Sequence, residues 1–314
     1  MTRPTLALVA ERSGYSVATV SRALHGDASV IPETREHVLR ICREIGYQPS
    51  IAGRRLSQGN KAVVGLSLGV RDHAVDRFVS LMHQALSSQL AASGWSVELI
   101  TAAEFDAGLD IGGLILVGLG KDDPRLASDV ARAIPTVAIG HNGGCFAVAA
   151  DDQAGGELAA EHLIATGRNR LAVLYNADPN PVLRVSAFTG KAKGAGITPI
   201  EIAAETALTP ALEGYRAVRA RLAAGALFDA LFCETDELAL GALAAIEDAG
   251  LSLPHDVALV GFDDLPIIAQ RLTTVRQDFP RMAEAAIKLL AEARRGLPMR
   301  QVLMPVELVR RTTT

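Results

Sequence analysis

Apolar positions along the first fifty residues recur at helical spacing. Leu6, Val9 and Ala10 mark a first helix, and Gly14 breaks the pattern. Ser16 is suited to cap a second helix whose Val20, Ala23 and Leu24 face inward, with Gly26 and Asp27 ending it. Pro32 fits the first turn of a third helix with an apolar face of Val38, Leu39, Ile41, Cys42 and Ile45, stopped by Gly46. Two helices joined by a Gly-containing turn and braced by a third follow helix-turn-helix logic. In that arrangement the slim stretch SVATVSRALHG would enter a major groove. Val17 and Ala18 suit thymine methyls, and Arg22 suits bidentate bonding to guanine. Thr19, Ser21 and the helix N-terminus would then hold phosphates. The same periodicity equally fits a solvated helix in an ordinary three-helix bundle.

From Lys61 the pattern changes to short apolar runs alternating with longer amphipathic ones. Strands are predicted over 62–69, 95–101, 112–118, 136–140, 170–175, 226–234 and 256–264. Helices are predicted over 76–92, 124–133, 152–166, 209–224, 236–249 and 280–295, with Thr209-Pro210 as N-cap and first position. The alternation means α/β doubly wound sheets, and the strands are too many for one ordinary sheet. Two Rossmann-like lobes with a cleft between them are expected. Ligands in such sheets bind at the carboxyl ends of strands. Arg71, Asp72, His73, Asp76, His141 and Asn142 fall there in the first half. Arg184, Thr235, Asp236, Asp263, Asp264 and Gln277 fall there in the second, with Phe279 able to stack on a sugar face. Asp236 and Asp264 read equally well as helix caps.

Charge sharpens this division. Residues 1–60 hold eight Arg and five Asp or Glu, a balance of +3, so the remainder carries −7 of the net −4. A basic head on an acidic body suits nucleic-acid binding by the head. Cys42, Cys145 and Cys233 are far apart in sequence and form no metal or disulfide pattern, which fits a reducing cytoplasm. Leu6 to Ala10 is too short for a signal-peptide core, and no apolar run is long enough to span a bilayer. No cofactor, metal or membrane partner is expected. Enzyme motifs are missing too: there is no GxSxG, P-loop or HExxH, and GLILVGLG is not a dinucleotide fingerprint. His162 with Asp151 or Asp152 would make a base and its orienter, but no nucleophile accompanies them in a motif.

The head TLALVAERSGYSVATVSRALHG…ETREHVLRICREIGYQPS resembles the DNA-binding domain of the lactose/galactose repressor (LacI/GalR) family. Thr5, Val9, Ala10, Gly14, Ser16, Thr19, Val20, Ser21, Arg22 and Leu24 match its pattern, as do Thr34, Arg35, Val38, Gly46, Tyr47 and Pro49. Leu8 and Tyr15 depart from it, standing where the family usually has Asp and Val. SIAGRRLSQGN, residues 50–60, resembles the family's hinge helix. The resemblance makes Leu56 a minor-groove wedge and puts Arg54 and Arg55 near phosphates. Gly53 replaces the usual Ala and lowers helix propensity there by ~1 kcal/mol, so a hinge more easily released than usual is expected.

The body is similar to the family's periplasmic-binding-protein-like effector domain, through HLIATGRNRLAVL, LFCETDELALGALAAIEDAGLSLPHDVALVGFDD and RLTTVRQDFPRMAEAAIKLL. The resemblance implies an all-α head over 1–49, a hinge over 50–60 and a two-lobed body over 61–314. Lobe 1 takes about 61–149 and 279–304, and lobe 2 about 150–278 and 305–314. By position it makes Arg184, Asp236, Asp263, Gln277 and Phe279 effector-site residues, with Asp236 alternatively structural. Thr235 stands where the family commonly has Asn, and His141 where many members have Asp or Arg. The segment between Ile100 and Gly112 is short enough that a lobe-1 helix is expected to be missing. The implied function is a homodimeric repressor of a pseudo-palindromic operator, controlled by a small molecule between the lobes. A sugar is the first expectation, with a purine or a corepressor as alternative. The chain ends at Thr314 without a heptad tail, which disfavours a coiled-coil tetramer.

Overall fold

The computed structural model describes residues 6–24, 30–45, 47, 63–69, 77–101, 111–119, 123–128, 131, 133–140, 144–177, 183–205 and 209–314. Thr5, the hinge residues Arg54, Arg55 and Leu56, and the candidates Asp76 and His141 lie outside them, as does most of the short segment after Ile100.

The head folds as α1 (Leu6–Ser13), α2 (Val17–Leu24) and α3 (Pro32–Ile45). Gly14 turns the chain between α1 and α2 at φ +73°, a conformation that penalises any residue with a Cβ. Val9, Val20 and Val38 are fully buried where the three helices meet, with Ala10, Ala23 and Cys42 around them. Leu39 does not join this core: it is 42 % exposed. The buried stripe of α3 runs through Val38 and Cys42, and the next residue along points roughly 100° away. Leu24 is only partly buried.

The body contains two six-stranded sheets. The first comprises β1 (Val63–Leu68), β2 (Ser96–Leu99), β3 (Gly113–Val117), β4 (Thr136–Ile139), β5 (Phe146–Ala150) and, near the end of the chain, β11 (Gln301–Met304). Its spatial order is β11-β5-β4-β3-β1-β2, all parallel. One face is covered by α4 (Arg77–Ala92) and α10 (Phe279–Arg294), which lay Met82, Leu86, Leu90, Met282, Leu289 and Leu290 over the strand valines and isoleucines. The second sheet comprises β6 (Leu171–Asn176), β7 (Ile200–Ala204), β8 (Ala230–Cys233), β9 (Ala258–Asp263), β10 (Thr273–Arg276) and β12 (Glu307–Val309). Its order is β12-β10-β9-β8-β6-β7, with only β12 antiparallel. On one face lie α6 (Asp152–Ala165) and α7 (Leu183–Gly194), and on the other α8 (Pro210–Ala223) and α9 (Asp236–Asp248). Among the described residues no helix is long and apolar enough to cross a membrane.

Several boundaries differ from the sequence pattern. The run 226–234 becomes a strand only from Ala230, because Gly225 ends α8 at φ +78° and the chain reaches the sheet through a short coil that buries Phe228. The helix expected over 124–133 is interrupted after α5 (Pro124–Ala127), where Ser128 is extended, and residues 131 and 133 are helical again. Thr209 occupies the N-cap of α8 without a side-chain capping bond. Neither acid read as a cap is one: Asp236 is the first helical residue, and Asp264 precedes turns rather than a helix.

Candidate functional site

In both sheets the chain leaves the central strand toward one side and returns on the other. The reversal falls between β1 and β3 in the first sheet and between β6 and β8 in the second. Such a switch point opens a crevice outside the carboxyl ends of the strands. Helix α4 starts at the carboxyl end of β1 and α9 at that of β8. Arg77 Nε lies 3.2 Å from Glu237 Oε1, so the first turns of these two helices meet and the carboxyl ends of the sheets face each other.

The lobe-2 crevice is built around Arg184 on α7. Its Nε donates to Asp152 Oδ1 at 2.9 Å, and its Nη1 donates to the Glu234 carbonyl at 2.9 Å. Nη2 lies 2.8 Å from Asp152 and Nη1 3.5 Å from Asp263 Oδ1. The guanidinium carbon also sits 3.6 Å above the Phe262 ring. Helix α7 comes this close because Gly156 faces it: a Cβ there would lie 2.1 Å from the Arg184 carbonyl oxygen. Burial works against the charge of Arg184, and Asp152, Asp263 and Glu234 outweigh it, so its pKa is raised. Asp263 ends β9 at φ +116°, an unfavourable backbone for a residue with a Cβ, and accepts from Gln277 Nε2 at 2.6 Å. Arg184, Asp263 and Gln277 therefore stand together. Asp152, Asn176 and Glu234 belong with them, although the sequence offered Asp152 only as the orienter of a His162 base and did not single out Asn176 or Glu234. Asn176 Nδ2 donates to Glu234 Oε1 at 2.7 Å across the two strand ends. The signal that marks this pair is position alone, one residue at the end of β6 and one just after β8.

Three candidates have other work. Asp236 is fully buried, accepting from Leu265 N at 2.7 Å and from Thr274 Oγ1 at 2.7 Å. Burial pushes its carboxyl up to about 7 against those two bonds. It ties α9 to the end of the sheet and offers no surface to a ligand. Thr235 is the N-cap of α9, accepting from Leu238 N at 3.2 Å, and remains half-buried. Phe279 packs against Phe78 at 5.6 Å between ring centres, under the lobe-1 core. The imagined base does not assemble. His162 Nε2 pairs with Thr314 Oγ1 at 2.8 Å, Asp151 caps α6 and Asp152 holds Arg184.

The lobe-1 crevice contains Arg125, which no sequence motif marked. Nε donates to Asp123 Oδ1 at 2.9 Å and Nη2 to Asp123 Oδ2 at 2.7 Å. Nη1 donates to the Ser67 and Val117 carbonyls at 2.9 and 3.2 Å, and Nη2 to Gly118 O at 3.1 Å. The strand ends approach closely here, since a Cβ on Gly69 would lie 2.0 Å from Gly118 O.

On the head, Ser16 Oγ accepts from Thr19 N at 3.1 Å and pairs with the Thr19 hydroxyl at 2.9 Å, fixing the start of α2. Val17, Ala18 and Arg22 are exposed on one side of α2, with Ser21 half-buried beside them, while Val20 and Ala23 are buried behind. The exposed valine and alanine of the first turn and the exposed arginine of the last turn share one face of a braced helix, a slim surface of the size a major groove admits.

Residues 5–50 match the family described as bacterial regulatory proteins, lacI family, and residues 160–314 match the periplasmic binding protein-like domain. The transcriptional regulator reg1 of Streptomyces lividans is 33 % identical, over 98 % of this chain and 96 % of that protein. CelR of Thermobifida fusca is 29 % identical over 99 % of this chain and 96 % of that protein. Among solved structures, a CelR–cellobiose complex matches with a TM-score of 0.70 at 25 % identity, covering 99 % of this chain and 100 % of that one. The lac repressor dimer bound to operator and the anti-inducer ONPF matches equally well, at 0.70 and 25 %, with 99 % of each chain covered. The three-helix head and the two-sheet body thus lie in a chain that matches its sequence relatives over nearly the full length, and the chain belongs to the lacI family of bacterial DNA-binding transcriptional regulators.

Proposed function

We propose that this regulator is a cytoplasmic homodimer that represses from a pseudo-palindromic operator, with its affinity set by a sugar or sugar derivative held between the lobes. The observation that carries the effector reading is the buried cluster of Arg184, Asp152, Asp263 and Gln277 at the lobe-2 switch point, facing the lobe-1 strand ends. Carboxylates and a guanidinium fixed by one another offer directed acceptors and donors to vicinal hydroxyls. The relatives add weight: CelR forms a complex with cellobiose, and the lac repressor dimer binds an operator. Residues 1–49 form the reading head, 50–60 the hinge and 61–314 the two lobes. Val17, Ala18 and Arg22 specify bases, while Thr5, Ser16, Thr19, Ser21, Arg54 and Arg55 hold the backbone and Leu56 is the wedge. Asp76 and His141 complete the cleft from lobe 1, with Thr235 and Phe279 at its edge.

The effector favours one relative lobe orientation and so changes the spacing of the two hinges. Relief of about a hundredfold needs about 3 kcal/mol of differential affinity between the two states. The test is a gel shift with operator-length DNA from upstream of the chain's own gene, with and without candidate sugars. Sequence-specific retention abolished by one sugar is the expected result. Retention that no sugar alters overturns the effector class.

A further inference from the structure

We infer that Arg276 is a positioning residue that couples the effector site to the crossings between the lobes. By holding Asp264 and Glu307 together, it passes a movement of Asp263 to two of the three segments that join lobe 1 to lobe 2. The inference rests on the reading of the lobe-2 crevice as the effector site and names the route by which that site is read out.

The chain passes between the lobes three times. Asp151 lies between β5 of the first sheet and α6 on the second, and Gln277 and Asp278 lie between β10 and α10. Pro305 and Val306 lie between β11 and β12. The first and third crossings are tied by backbone, Asp151 N donating to Met304 O at 2.9 Å. The second and third are tied at Arg276, the last residue of β10, and Glu307, the first of β12, which stand opposite each other in the antiparallel pairing. Arg276 Nη1 donates to Glu307 Oε1 at 2.7 Å, so side chains close the joint that the backbones begin.

The other arm of Arg276 reaches back to the site. Its Nε donates to Asp264 Oδ2 at 2.6 Å, and Asp264 directly follows Asp263. Both acids have positive φ, +116° and +60°, and two successive residues other than glycine in that region need to be held by their surroundings. Arg311 Nη2 takes the second oxygen of Asp264 at 2.6 Å, so this turn sits between two guanidinium groups. Gln277, next after Arg276, donates to Asp263. Two consecutive acids at the end of β9 are thus bonded to two consecutive residues at the end of β10, where the second crossing begins. Stability alone does not explain the arrangement. The Arg276 side chain is 42 % exposed and that of Glu307 66 %, and an ion pair this open to water adds little to the fold. Asp264 keeps a buried anchor in Arg311 without it. What Arg276 adds is a rigid fork joining three strand ends, one beside the site and two at the crossings that a change of lobe orientation has to bend.

The experiment measures the affinity of the full chain for cellobiose, maltose, glucose and glucosamine twice, once free and once bound to operator-length DNA from upstream of its own gene. The ratio of the two dissociation constants is the coupling between the sites. For the best-binding sugar, Arg276→Met should lower that ratio about tenfold while affinity in the free protein stays within about threefold. Glu307→Gln keeps the Asp264 arm and loses the crossing, and it should lower the ratio in the same direction; its exposed position keeps the test open if Arg276→Met fails to fold. A merely structural role would lower the melting temperature and leave the ratio unmoved. A wild-type ratio in the variants that fold overturns the proposal. So does a loss of sugar affinity in the free protein with the ratio kept, which would make Arg276 a support of the site alone. A wild type that binds a sugar equally with and without DNA has no coupling to carry, and overturns it too. A wild type that binds none of the four sugars overturns the sugar reading itself, and this route with it.

Discussion

The two lobes share one strand order and one kind of crevice, and each crevice holds an arginine, yet the arginines differ in what they leave over. In lobe 1 every N–H of Arg125 meets Asp123 or a carbonyl of the strand ends, so the group closes the crevice on itself. In lobe 2, Arg184 reaches across three separate pieces of chain: the start of α6, the end of β8, and the end of β9 with Asp263 and the ring of Phe262. One topology therefore supports a self-closed guanidinium on one side and, on the other, a polar cluster that fits the proposed effector site. The difference lies in where the arginine is anchored. Arg125 is two residues from its acid partner, a local loop of the chain. Arg184 is 32 residues from Asp152 and 50 from Glu234, so its geometry reports the packing of the whole lobe.

Substitution of the two arginines breaks the comparison most directly. Arg184→Met leaves Asp152 and Asp263 buried beside an apolar chain, and removing one member of a buried ionic group costs about 3–5 kcal/mol. Chemical denaturation should show that loss, and the effector response in a gel shift should disappear with it. Arg125→Met removes a group of similar burial, so a loss of about 3 kcal/mol is expected from the unpaired Asp123 and strand-end carbonyls. Its effector response should survive, because Arg125 has no N–H left for a ligand. A variant that still folds and has lost the response would show that lobe 1 is a receptor as well.

This asymmetry also explains what the sequence could reveal. The apolar runs of β1, β3, β4, β8 and β9 were legible because strands buried on both faces are nearly continuous in valine, leucine and isoleucine. The strands β11 (QVLM) and β12 (ELV) lie at sheet edges, short and half-exposed, and no periodicity marked them. Helix α7 (LRVSAFTGKAKG) carries two glycines and few large apolar residues, so Arg184 was marked by its place after a predicted strand and by family resemblance rather than through its helix. Strand-end position made Asp263 and Gln277 candidates, and the structure brings them together. The same rule would have raised Asn176 and Glu234 had the ends of β6 and β8 been taken residue by residue. Arg125 lies in the single turn of α5, and its bonds to carbonyls leave no trace in a sequence.

Titration separates scaffold from receptor within lobe 2. Asp236 is raised from its ordinary value to about 7, so between about pH 4 and 7 the folded protein holds a proton that the unfolded chain has lost. Its contribution is fully present below that window and fades as pH rises through 7. Asp236→Asn keeps an acceptor for Leu265 N and cannot ionise. Urea titrations should find the variant more stable than the wild type at pH 8, by up to a few kcal/mol, with the difference shrinking toward pH 5. A wild-type advantage that grows with pH would mean that the ionised carboxylate is the form the fold requires.

The finest probe is Thr235, which stands both at a helix start and at the edge of the crevice. As N-cap of α9 it accepts from Leu238 N, and asparagine performs that task at least as well as threonine. Thr235→Asn should therefore change stability by less than about 0.5 kcal/mol, whereas Thr235→Ala should lose about 1 kcal/mol with the cap. The two variants then divide the cap from the ligand. If Thr235 is a cap alone, alanine alters stability and neither variant alters sugar selectivity. If it also faces the effector, asparagine adds an amide with two donors beside Glu234, and selectivity moves while the melting temperature stays still. Because lobe 1 presents a closed guanidinium, a shift caused by this one side chain would place the discrimination of the cleft in lobe 2.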